Sequence, residues 1–433
     1  MAPTDLVLLT ILLMLILMVI GMPIGFAMAL VGIVGLWVVS GPTVATGLLS
    51  YYPFDFASGY TFTVVPMFIL MGQLAFEAGF TRELFTCARA WLGRLPGGLV
   101  LGTLAGSAAF AACSGSSLAT AAAMGKIGIP EMRRYGYGKQ IAAGSVAAGG
   151  TLGILIPPSI FLVLYGIMTG TSIGKLLMAG IIPGVLTAAM FMISVVIRSL
   201  KNPDIAPPIR TITWSQRFSS IKHIWGIGAI ATIVLGAIYT GVCTPTEAGV
   251  IGVLGVTLLG IFTKRLNAKA FKGALFDTAY SSATIFAIAV GAMLMVPLFT
   301  VTKASQFVLQ SIMGLDLPPI SVILCLGMAF IILGMFIDAL SLMLITLPVI
   351  FPTVAALGFD PIWFGVIMVK FVELALITPP VGMNLYIIKG IAPDFSMGDI
   401  FGGVIWFVVT DICTLTLLIF FPQMSLLLPS LMR

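Results

Sequence analysis

Three stretches of this 433-residue chain place oxygen ligands inside otherwise apolar surroundings. One is Cys113-Ser114-Gly115-Ser116-Ser117, where Ser114, Ser116 and Ser117 supply hydroxyls and the turn supplies carbonyls. The other two end in tandem prolines: Gly149 to Ser159, which contains Pro157-Pro158, and Glu373 to Asn384, which contains Pro379-Pro380. Tandem proline removes two N–H donors and disfavours helix before it, which frees carbonyl oxygens. Bare carbonyls suit Na⁺, a hard cation that takes several oxygens at once. A half-helix starting after each Pro-Pro aims its N-terminal dipole at the break and favours an anionic group there. The chemistry in view is the binding of a cation and an anion. Asp338, in Gly334-Met335-Phe336-Ile337-Asp338, adds one carboxylate, which either ligates a cation or caps a helix.

Plainer explanations apply to part of this set. Small residues such as Ser114 to Ser117 also let helices pack closely, and the Ala-rich run after Thr120 does only that. One Pro-Pro could simply kink a span. Lys370 and Glu373, three apart on one helix, make a local ion pair. Glu247, in Thr244-Pro245-Thr246-Glu247, sits like a first-turn helix carboxylate, whereas Glu77 and Asp411 carry no assignment.

Several function classes drop out. His223 is the only histidine and stands beside Lys222 at the mouth of an apolar run. With no second base, an intramembrane protease or acyltransferase lacks the groups it needs, so no enzyme is expected. Cys87, Cys113, Cys243, Cys325 and Cys413 are far apart and form no CxxC, so no cofactor and no metal other than Na⁺ is implied. The net charge of +6 comes from residues scattered over short loops and makes no nucleic-acid stripe.

The elements that must position these groups are membrane spans. Sixty per cent of the residues are apolar and 8% charged, and the mean hydropathy is +1.17. Apolar runs near the ~20 residues that cross a bilayer recur along the whole length. Four basic loops, at 81–96, 126–139, 198–222 and 264–272, should stay on the cytoplasmic side. A path that respects them crosses at 5–20, 23–40, 60–80, 138–170, 173–198, 223–243, 246–263, 274–302, 361–389 and 400–421. It leaves Lys175, Lys303, Lys370 and Arg433 as the basic residues away from the cytoplasm; Arg210 falls within the third basic loop. Residues 97–129 have two basic flanks and read as a re-entrant hairpin turning at Ser114 to Ser117, and 318–352 as a second hairpin entered from outside. Residues 81–95 read as an amphipathic surface arm, with Leu84, Phe85, Ala88, Trp91 and Leu92 on one side; its counterpart is Gln306 to Leu315.

A shift of 222 residues lays Pro23 on Pro245, Pro130 on Pro352, Pro157 on Pro379 and Pro158 on Pro380. The path crosses the membrane an odd number of times between the copies, so the repeat is inverted. Two Pro-Pro breaks in repeat register favour a functional role over a kink. Inverted repeats with hairpins and broken helices are the usual build of secondary transporters.

Pro66-Met67-Phe68-Ile69-Leu70-Met71-Gly72, Ser114-Gly115-Ser116-Ser117, Leu152 to Ser159, Thr244-Pro245-Thr246-Glu247-Ala248 and Thr378-Pro379-Pro380-Val381-Gly382 together resemble the large permease (M, DctM-like) subunit of tripartite ATP-independent periplasmic (TRAP) transporters, within the ion transporter superfamily. The resemblance implies an all-α polytopic membrane protein working as an elevator. Scaffold helices and a surface arm would occupy 1–95, scaffold helices 172–305 and a final span 399–433; the moving halves would be 96–171 and 306–398. It further implies one sodium site formed by Ser114, Ser116, Gly153, Ile156 and Pro158, and a second formed by Gly334, Ala375, Thr378 and Val381, where alanine stands at a position often glycine in similar chains. The organic acid, a dicarboxylate or sugar acid, would lie near Ser117, Ser159 and Asn384. The implied partners are a small membrane (Q) subunit and a periplasmic solute-binding protein, and the implied location is the bacterial inner membrane. A carboxylate carrier that needs no binding protein is the alternative.

Overall fold

The computed structural model describes residues 3–209, 211–314 and 318–432, so that Arg210, Leu315 and Arg433 lie outside the described residues. Among the described residues there are twenty α-helices and no strand. Eight helical stretches are long and apolar enough to cross a bilayer.

The chain opens with α1 (Pro3–Val19), α2 (Ile24–Ser40), α3 (Pro42–Ser58), α4 (Val64–Glu77) and the short arm α5 (Phe80–Leu92). The expected first hairpin follows as α6 (Gly98–Ser114) and α7 (Ser117–Arg134). Its turn is narrower than the sequence suggested, since only Gly115 and Ser116 are non-helical, and α7 runs past Pro130 to Arg134. The first broken span is α8 (Lys139–Leu155) and α9 (Ile160–Thr169), followed by α10 (Ile173–Lys201), α11 (Trp214–Tyr239), α12 (Pro245–Phe262) and α13 (Ala268–Val301). The second arm is α14 (Ala304–Met313) and the second hairpin α15 (Pro319–Gly334) with α16 (Ala339–Ala356). The second broken span is α17 (Pro361–Ile377) with α18 (Met383–Ile391); α19 (Met397–Phe420) and α20 (Gln423–Leu431) close the chain. Capping explains where spans begin: Thr213 with Gln216, Thr244 with Glu247 and Ser396 with Asp399 each form a reciprocal box at the starts of α11, α12 and α19.

Helix boundaries recur at the shift of 222. It carries the ends of α7 onto those of α16, Ser117 onto Ala339 and Arg134 onto Ala356, and the ends of α8 onto those of α17. The two copies differ at α3 and α4, which together fall on the single 34-residue α13. Tyr165, near the end of α9, donates to the Pro361 carbonyl at the start of α17 (2.7 Å), while Lys139, at the start of α8, reaches the Asp394 carbonyl beyond α18 (3.4 Å). The two broken spans therefore run in opposite directions.

Contacts between loops collect the basic segments at one end. Gly97 N–H donates to Ala206 O and Gly138 N–H to Ile205 O, both at 3.1 Å; Arg94 donates to the Ile212 carbonyl, and Arg265 pairs with Glu83. That common end is what a cytoplasmic side enriched in Lys and Arg requires.

The broken spans form the core. Every residue from Ile141 to Leu155 and from Trp363 to Ile377 is buried. Close backbone contact replaces large side chains where helices cross: a methyl at Gly144 of α8 would lie 2.2 Å from the Gly403 carbonyl of α19, and one at Gly25 of α2 would lie 2.5 Å from the Ala287 carbonyl of α13.

Candidate functional site

The first hairpin tip meets the first Pro-Pro break. Ser116 ends its extended backbone as the cap of α7, accepting from Ala119 N–H (3.4 Å), and its carbonyl accepts from Thr120 Oγ1 (2.8 Å). Ser114 Oγ lies 2.8 Å from Thr120 Oγ1. A methyl at Gly153 would fall 2.5 Å from Ser116 O, and one at Gly115 would fall 2.6 Å from Pro158 O, so only glycine allows these backbones to approach. Ile156 is the extended residue that terminates α8. Ser114, Ser116, Gly153, Ile156 and Pro158 thus belong to one junction of hairpin and break, rich in hydroxyl and carbonyl oxygen.

The second junction repeats the design with different residues. A methyl at Gly334, the last residue of α15, would lie 2.7 Å from Ala375 Cβ on α17. Thr378 terminates α17 in extended backbone and donates its hydroxyl to Leu374 O at 2.6 Å. Gly382 takes φ +55°, and the Leu376 and Thr378 carbonyls crowd its open side at 3.0 and 3.1 Å. Val381 lies in the non-helical link just before it. Asp338 stands at the repeat position of Ser116 and does the same job, its Oδ1 accepting from Leu340 and Ser341 N–H at 3.1 and 3.3 Å. Of its two sequence readings, the geometry supplies the cap.

Ser117, Ser159 and Asn384 are all buried, and their hydrogen bonds fall into two sets. Ser117 and Asn384 bond to each other, Asn384 Nδ2 donating to Ser117 Oγ at 2.9 Å and to the Ala147 carbonyl at 3.2 Å. Ser159 caps α9, accepting from Leu162 N–H and donating to the Ile154 carbonyl. Beside them a cavity of about 400 Å³ opens between the first hairpin and helices α4 and α13, and Ser114, Gly115 and Ser116 line it.

Residues 11–424 match the family described as the DctM component of the tripartite ATP-independent periplasmic transporter. The chain belongs to the DctM family. It is 34% identical over 379 residues to the C4-dicarboxylate TRAP transporter large permease protein DctM of Pseudomonas aeruginosa, covering 87% of this chain and 88% of the relative. It is 33% identical over 382 residues to the isethionate TRAP transporter permease protein DctMQ of Oleidesulfovibrio alaskensis, covering 84% of this chain and 60% of that one. Its fold is shared with the YdaH transporter of Alcanivorax borkumensis, with a TM-score of 0.61 at 16% identity over 88% of each chain. As a DctM-family chain, this multi-pass membrane protein is the large permease of a TRAP transporter and not an enzyme.

One constellation in this DctM-family chain escaped the sequence. Lys370 on α17 does pair with Glu373, its Nζ 2.8 Å from Oε2, but it also binds Asp411 of α19 and donates to Thr187 Oγ1 of α10 at 3.3 Å. All three charged side chains are fully buried. The signal was present as three ionisable residues within apolar spans, yet Asp411 lies 41 residues from Lys370 and on another helix. Glu77 ends α4.

Proposed function

We propose that this permease imports a small organic acid, a dicarboxylate or sugar acid, driven by Na⁺. The observation that carries the proposal is the twofold junction in which a hairpin tip abuts a Pro-Pro break and gathers partly buried hydroxyl and carbonyl oxygens. Ser114, Ser116, Gly153, Ile156 and Pro158 are assigned to one sodium ion, and Gly334, Ala375, Thr378 and Val381 to the other. Asp338 is assigned to holding the second tip in shape. The acid sits between the tips, with the Ser117–Asn384 pair and Ser159 in the wall behind it. The names of the dicarboxylate and isethionate relatives, both anionic solutes, support this class.

An elevator motion fits the packing: 96–171 and 306–398 move against α2, α4 and α11 to α13. The Lys370 network binds α17 to α10 and α19, so those helices travel with the moving block rather than staying with the frame. A small membrane subunit and a periplasmic binding protein complete the transporter in the bacterial inner membrane. The relative named DctMQ, of which the match covers 60%, supports a small-subunit partner. A carrier independent of a binding protein is less favoured, because the relatives carry TRAP names. The test is the sodium dependence of uptake in Ser116→Ala and Thr378→Val. Each should raise the half-saturating Na⁺ concentration several-fold; unchanged sodium curves in both would remove these sites.

A further inference from the structure

The cavity beside the first hairpin contains a charge that the sodium sites do not use. Among its lining residues Lys126 of α7 is the sole ionisable side chain, and no carboxylate faces it. Lys126 is exposed, and among the described residues it makes no ion pair or hydrogen bond. Three other cations of this basic end are engaged: Arg89 pairs with Glu131, Arg133 pairs with Asp394, and Lys139 bonds the Asp394 carbonyl. Lys126 opens the basic segment 126–139 at the cytoplasmic end, so its ammonium faces water at the mouth of this cavity.

The position of Lys126 relative to the tip is specific. α7 begins at the tip, and Lys126 lies ten residues beyond Ser116, or about 15 Å along the axis. Helical side chains lean toward the N-terminus, so the ammonium is directed back toward Ser116. Ala119, Ala122 and Ala123 line the path between them and leave it open. The free N–H groups and dipole at the start of α7 add positive potential at the far end of the same path. The opposite wall offers Gln73 of α4 and Ser281 of α13, neutral hydrogen-bonding groups on the frame.

We propose that Lys126 is the charge-recognition residue for the transported anion, binding one acidic group of the solute in this cavity while the rest extends toward the tip serines. This rests on the anion-import reading above and adds to it the residue that selects for negative charge. Gln73 and Ser281 complete the contact from the frame side.

The experiment uses proteoliposomes holding the complete transporter with its binding protein. The probe is whichever of succinate, isethionate and N-acetylneuraminate the wild type accumulates fastest under a sodium gradient. Lys126→Met should raise the half-saturating concentration of that anion about ten- to a hundred-fold, as loss of a charged hydrogen-bond partner does. Lys126→Arg should stay within a few-fold of wild type, and the half-saturating Na⁺ concentration should not move in either variant. Wild-type affinity in Lys126→Met overturns the proposal, and so does an equal loss in Met and Arg variants, which marks packing instead of charge. Failure of the wild type to accumulate any of the three under a sodium gradient defeats the parent reading instead.

Discussion

Replacing Lys370 by Met tests how α17 is held to α10 and α19. The substitution keeps the length of the side chain and removes the one cation between two carboxylates. Lys370, Glu373 and Asp411 are fully buried, and Glu373 Oε1 and Asp411 Oδ2 have no hydrogen-bond donor among the described residues. Without the ammonium, both acids remain buried and uncompensated. Breaking a buried ion pair from one side costs about 3–5 kcal/mol. Removing all three charges together, in Lys370→Met with Glu373→Met and Asp411→Leu, should cost much less, because desolvation no longer needs to be offset. The cycle is therefore strongly non-additive. Thermal unfolding of purified protein in detergent, followed by tryptophan fluorescence, ranks the variants. The single variant should melt well below the triple variant, which should lie near wild type. A single variant that melts with wild type, or a triple variant that melts below the single, would refute the account of the network.

Two further perturbations probe the hairpins. A methyl at Gly72 of α4 would lie 2.8 Å from both Cys113 O and Ser114 Cα, so Gly72→Val should disfavour this contact of frame and tip by about 1–3 kcal/mol and slow transport, measured as initial uptake rate at saturating Na⁺. Wild-type uptake by Gly72→Val would show that the contact is not used during the cycle. At the second tip, Asp338→Ala should lower stability by about 1 kcal/mol through loss of the α16 cap, whereas Asp338→Asn should keep both stability and sodium affinity. A sodium affinity lost in Asp338→Asn would mean that the carboxylate ligates the ion after all.

Features written in local sequence were legible. Both hairpins and both broken spans follow from proline, glycine and small polar residues set in apolar runs, and the 222-residue shift places helix ends within the same registers. Helix α3 was missed because Pro53, Asp55 and a mixed stretch of polar and aromatic residues interrupt any apolar run of spanning length. Helix α20 is nine residues long and equally silent. The arm α5 was found, but its buried side includes Cys87 and Ala90 while Trp91 is partly exposed and packs edge-on to Phe218 of α11. Long-range pairing decides the remainder: Ser117 with Asn384, 267 residues apart, and Lys370 with Asp411 depend on how helices are arranged. Local spacing carries no trace of such partners.

Sodium-driven, binding-protein-dependent import is measured as initial uptake of an organic anion into proteoliposomes containing this permease with its small subunit, with Na⁺ and the binding protein each present or omitted. Concentrative uptake is expected only when an inward sodium gradient and the binding protein are both supplied. Equal uptake with K⁺ in place of Na⁺, or full uptake without the binding protein, would contradict it.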